Sequence, residues 1–126
     1  MTDRQRHLIK IKFDFYDDKI IRSVALEHYY RRNCMKQLAY NAHNIMMIWK
    51  RKQKSFLDDQ LQLVRNFRKQ KLDFFYAFKK YHNEEIVRRG RNAPLTLRVL
   101  GYVNDCRAQF EVATRCLKTI KQLLKK

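Results

Sequence analysis

The chain has 126 residues, one domain's worth, and 45% of them are hydrophobic, which excludes a disordered polyelectrolyte. Twenty-nine Lys and Arg stand against twelve Asp and Glu, a net charge of +17 that costs self-repulsion and draws polyanions such as nucleic acid, an acidic filament or an anionic membrane. Only two glycines and one proline occur, so few positions are marked for tight turns and long helices become the default reading.

Residues 8–16, LIKIKFDFY, alternate: Ile9, Ile11, Phe13 and Phe15 against Lys10, Lys12 and Asp14. This is the strand template, yet no second strand pattern follows to pair with it. Two outcomes stay open. The segment adds to a partner's sheet edge, or tertiary packing turns it into helix or an ordered arm.

Asp17 and Asp18 then offer an N-cap and a negative first turn. From there Ile21, Val24, His28, Arg31, Met35, Leu38, Ala42, Ile45 and Trp49 recur at three-and-four spacing, predicting a helix over 19–54. Ser55 with Asp58 resembles a capping box, either starting a new helix or lying inside a longer one. Leu57, Leu61, Val64, Leu72, Phe75, Phe78 and Tyr81 carry the next stripe, so a second helix is expected over 55–90, closed by Arg88, Arg89 and Gly90.

Asn92 reads as the next cap and Pro94 as a first-turn residue. The clearest pattern follows: Val99, Val103, Cys106, Phe110, Ala113, Leu117, Ile120 and Leu124 alternate at four and three, a heptad seam for a helical partner on a helix over 93–125. Gly101 lies within it at a cost of about 1 kcal/mol against alanine, compatible with a close helix crossing. The expected architecture is one all-α domain over 1–126. It is an antiparallel bundle or extended hairpin of three long helices, preceded by an arm over 1–18.

Catalytic chemistry finds no support in these residues. His7, His28, His43 and His82 are scattered, and no HExxH, CxxC or Walker-type glycine loop occurs. The pairs Glu84-Glu85 and Asp58-Asp59 are helix neighbours pointing about 100° apart, poor acid–base dyads. Cys106 and Cys116 are separated by roughly 15 Å along one helix and cannot share an ion. No catalytic residue, cofactor or metal is therefore assigned. With Cys34, the odd thiol count and the absence of a signal-peptide pattern suggest an intracellular protein, nuclear or cytoplasmic. The longest apolar run, residues 45–49, is too short to cross a bilayer.

The basic clusters carry the functional expectation. Arg31, Arg32 and Lys36 form one, Lys50, Arg51, Lys52 and Lys54 a second, and Arg65, Arg68 and Lys69 a third. Between residues 19 and 54 nine Lys and Arg face one acid, Glu27, so i,i+4 pairing cannot neutralise the segment. The run KRKQK at 50–54 also resembles a nuclear-import signal. Tyr29 and Tyr30 beside the first cluster and Trp49 beside the second suit base stacking or core packing alike. The expected function is a non-enzymatic basic binding protein for nucleic acid or a ribonucleoprotein assembly. The alternative is a scaffold on an acidic cytoskeletal or centriolar assembly. Ala25-Leu26-Glu27-His28-Tyr29 through Leu38, with the later Trp49, resembles the centrin-binding repeats of spindle-pole proteins. There the tryptophan is displaced and no second copy follows. That resemblance implies a centrin-type partner. A four-helix signalling protein and a membrane-surface helix are less favoured readings.

Overall fold

The computed structural model describes residues 2–126. Among them there are three α-helices and no strand: α1 (Asp3–Arg32), α2 (Lys36–Arg89) and α3 (Pro94–Leu124).

The first helix begins far earlier than the alternating pattern suggests. Thr2 opens it, and the Thr2 backbone N–H donates to Gln5 Oε1 at 3.0 Å, with Asp3 favourably placed in the first turn. Of the two outcomes open for residues 8–16, the helix is the one found; residues 3–18 of the expected arm belong to α1, Met1 lies outside the described residues, and Asp17 and Asp18 lie inside α1 rather than capping it. The alternation has a helical explanation. Residues two apart on a helix are about 200° apart, so Ile9 and Phe13 share one face while Ile11 and Phe15 share the opposite one. Ile9 and Phe13 are buried, whereas Ile11 and Phe15 are exposed.

The expected single helix over 19–54 is broken at residues 33–35. Cys34 takes a left-handed φ of +57°. Its N–H donates to the Arg31 carbonyl at 3.2 Å and the Met35 N–H to the Tyr30 carbonyl at 2.9 Å. These are the two bonds of a Schellman cap, here built without glycine. Asn33 assists, its side-chain amide donating to the Tyr29 carbonyl at 2.8 Å. The stripe from Ile21 to Trp49 therefore spans a turn; Ile20 and Ser23 are the buried residues of that part of α1, and Ile21 is exposed.

The 54 residues of α2 make a rod about 80 Å long. It runs straight through Ser55 and Asp58, so no helix starts there and the division between 19–54 and 55–90 does not exist. Gly90 ends α2 with φ +89°, a region open to glycine. The α3 N-cap is Ala93, one residue after the expected Asn92, with Pro94 at the helix start.

Both flanking helices run antiparallel to α2, on different halves of it. Gln53 Nε2 donates to the Phe13 carbonyl at 3.3 Å and His43 meets Glu27 at 3.3 Å along the first half. Arg68 donates to Thr114 at 2.9 Å and Phe78 packs on Tyr102 along the second. The α1 start and the α3 end overlap at the middle and advance in the same direction, since Asp3 meets Arg115 and Phe13 meets Lys126. A three-helix section results, with two-helix arms extending from both ends. Its core is Ile9 and Phe13 of α1, Leu57 and Val64 of α2, and a block of α3 residues around Ile120.

On α3, Val99, Val103, Cys106, Ala113, Leu117 and Ile120 are buried, while Phe110 and Leu124 are half-buried. Their partner within the chain is α2, joined near the helix end by α1. Gly101 serves no close crossing: it is exposed, and a Cβ there would meet no atom within 4 Å.

Candidate functional site

Helical spacing places Lys12, Phe15 and Lys19 on one face of α1, and Trp49, Lys52 and Phe56 on one face of α2. Where these faces meet, four rings gather. Phe15 stands edge to face against Trp49, with centroids 6.1 Å apart. Tyr16 leans on Trp49 at 6.1 Å and on Phe56 at 5.9 Å. Such pairs contribute about 0.5–1.5 kcal/mol each beyond the area they bury, and they tie the α1–α2 arm together.

Three ammonium groups surround this cluster. Lys52 Nζ lies 4.8 Å from the Trp49 centroid. Lys12 Nζ lies 5.7 Å from Phe15 and 5.4 Å from Tyr16, and Lys19 Nζ 5.6 Å from Phe15 and 6.0 Å from Trp49. Cation–π attraction holds each near its ring by about 0.5–1 kcal/mol, weak enough for the ammonium to turn toward an arriving anion. None of the three makes an ion pair. Among the described residues, ion pairs are made by arginines and by His43, and by no lysine.

The sequence-expected basic residues are distributed along α2 rather than gathered. Arg31, Arg32 and Lys36 sit at the turn between α1 and α2, where Arg31 Nη2 is held by Glu27 at 2.6 Å. The run at 50–54 divides between two sides of the rod. Lys50 and Lys54 line a groove toward the α3 end that also holds Asp14 and Asp17, whereas Lys52 joins the aromatic cluster. Arg51 is exposed. Arg68 is engaged, its guanidinium 4.4 Å over the Phe110 ring and bonded to Thr114. With Lys118, Lys121 and Lys125 it lines a second basic groove between α2 and α3. Arg65 and Lys69 are exposed beside it. From Lys36 to Lys69 these cations span about 50 Å of one helix.

Lys12, Phe15 and Tyr16 are absent from the sequence-expected site because an arm over 1–18 leaves them without a helical face, and Lys19, the first residue of the helix expected over 19–54, stands apart from every basic cluster in the sequence. The signal that marks them is the second apolar face of α1, visible once 8–16 is plotted as helix.

Two acids have defined roles. Glu27 is drawn below the usual carboxylate range chiefly by the Arg31 hydrogen bond, with His43 adding to it against desolvation. It thereby joins α1 to α2 beside the turn. Glu85 is fully buried where α2 approaches α3; Arg88 donates to its Oε1 at 3.2 Å, while Arg89 Nε lies 2.9 Å from Oε2 as an ion pair that makes no hydrogen bond. The register places Glu85 opposite Thr96, whose buried hydroxyl has no hydrogen-bond partner. The two guanidinium groups compensate the charge of a carboxylate at the core. Among the described residues no cluster of His, Cys, Asp and Glu could hold a metal ion, and no helix is long and apolar enough to cross a membrane. Comparison with protein-family models, curated proteins and solved structures finds no match.

Proposed function

We propose that this chain is a non-enzymatic helical binding protein that engages nucleic acid, free or within a ribonucleoprotein assembly, through its phosphates. The observation that carries this reading is the set of unpaired lysines around half-exposed rings: Lys12, Lys19 and Lys52 on Phe15, Tyr16 and Trp49. Ammonium groups neutralise phosphates while an exposed ring face accepts a base, a combination used on single strands. The wide spacing of the remaining cations suits an extended polyanion better than a small anionic metabolite.

The test is fluorescence anisotropy with labelled single-stranded and duplex oligonucleotides over a salt series. Log affinity is expected to fall linearly with log salt, and Lys12, Lys19 and Lys52 changed together to Gln should reduce the duplex slope by roughly 0.9 for each phosphate left unneutralised. The same change at Lys118, Lys121 and Lys125 is the control surface. Wild-type protein that binds neither strand form at about 0.15 M salt overturns the reading.

A second reading draws on shape. An α2 rod about 80 Å long, with apolar Ile45, Ile48 and Tyr76 exposed along its arms, suits a scaffold on an acidic cytoskeletal or centriolar lattice. Cosedimentation with microtubules after nuclease digestion distinguishes it from the first.

A further inference from the structure

We propose that the groove between the start of α1 and the middle of α2 receives an amphipathic helix from an acidic partner protein.

The groove measures about 770 Å³, and its walls are mostly apolar. Leu8, Ile11 and Phe15 form the α1 side and Leu63 the α2 side, at 50%, 53%, 47% and 60% exposure. Single exposed apolar residues are ordinary, but a contiguous set along a concave surface marks an interaction site. The α1 start has two apolar faces, and the one bearing Ile9 and Phe13 is covered by α2 and α3. The face bearing Leu8, Ile11 and Phe15 repeats at three and four; Trp49 meets it at Phe15, and Leu8 and Ile11 stay exposed. A helix laid there would turn the three-helix section into a four-helix one, by packing an i, i+3, i+4 and i+7 stripe into the groove.

Charge selects the occupant. The lining contains one charged side chain, Lys12, and no carboxylate; Asp58 and Asp59 on the same stretch of α2 are exposed and lie outside it. Lys19 and Lys52 stand at the end of the groove beyond Phe15, against Trp49. A second copy of this chain, also carrying +17, would bring like charge onto this rim. Nucleic acid has no group that matches aliphatic walls of leucine, isoleucine and valine. An apolar stripe flanked by Glu and Asp meets both requirements.

Trp49 reports occupancy. It is the only tryptophan in the chain and its ring touches Phe15, which lines the groove. The probe is a synthetic peptide of about four helical turns, leucines at three-and-four spacing and glutamates beside them. Titrated into the full chain, it should give a saturable change in Trp49 emission and gain helicity on binding. Ile11→Lys and Leu63→Lys, at exposed positions that leave the core intact, should each weaken binding by about tenfold or more. Both variants add positive charge, so a loss of affinity isolates the apolar contact. A scrambled peptide of the same composition should bind at least about tenfold more weakly, as should one with lysines in place of the glutamates. Equal binding by the scrambled peptide shows that charge alone is read, and overturns the proposal. Unchanged affinity of both variants places the peptide elsewhere and does the same. Sedimentation that shows a wild-type dimer abolished by Leu63→Lys assigns the groove to a second copy instead and overturns it too.

Discussion

Replacing Cys34 by glycine is expected to stabilise the protein, although Cys34 terminates α1. The residue holds φ +57°, where a side chain's Cβ crowds the following carbonyl at a cost of about 1–2 kcal/mol. Glycine removes that crowding and gives back about 0.5–1 kcal/mol through the greater freedom of its unfolded chain. The Schellman bonds from Cys34 and Met35 are backbone bonds and survive the change. The thiol is exposed, so the core packing is untouched. The net gain is about 0.5–1 kcal/mol. Urea unfolding followed by helical circular dichroism should show the midpoint rising by a few tenths of a molar with an unchanged slope, given a slope of about 1–3 kcal/mol/M for small proteins. Cys34→Ala keeps the Cβ and should stay near wild type, and Cys34→Val should fall below it. A glycine variant less stable than the alanine variant would refute a left-handed residue at this turn.

Gly101→Ala on the exposed face of α3 should raise stability by about 1 kcal/mol, because the new Cβ meets nothing; a loss in the same urea assay would mean that Gly101 is packed. Thr96→Val should be neutral or stabilising by about 1 kcal/mol, since the buried hydroxyl has no partner, while a cost above about 1 kcal/mol would reveal a bond to Glu85. Thiol titration of native protein should find one fast group, exposed Cys34, and two that react only on unfolding. Cys106 is buried, and burial raises the Cys116 thiol above its ordinary range; two fast groups would contradict that burial. The lowered Glu27 carboxyl contributes stability present above its unfolded value near pH 4 and lost as pH falls through its lower folded value. Glu27→Gln should therefore lower the urea midpoint at neutral pH, with the gap closing in acid; a gap that persists at about pH 2 would mean that charge is not its origin.

The sequence by itself determined the charge, the helical class and the long α3, because each follows from composition or from one unbroken pattern. On α3 the seam from Val99 to Leu124 packs along a single neighbour for most of its length, so one stripe suffices and three-and-four spacing is legible. The turn at residues 33–35 was invisible because its left-handed position carries a cysteine, and closure of α1 against α2, through contacts such as Glu27 with His43, adds to the local Schellman bonds in holding it. With that turn unseen, Ser55 and Asp58 offered a boundary in its place, whereas packing on both flanking helices carries α2 through them. Tertiary structure likewise decided residues 8–16. Two apolar faces on one helix give an every-second-residue pattern that local sequence cannot tell from a strand, and burial of Ile9 and Phe13 against α2 and α3 selects the helix. That choice brings Lys12, Phe15 and Lys19 to Trp49 and Lys52. Spacing along one chain segment cannot show such a juxtaposition, because the two sides of the cluster come from helices joined only by the antiparallel return of the chain.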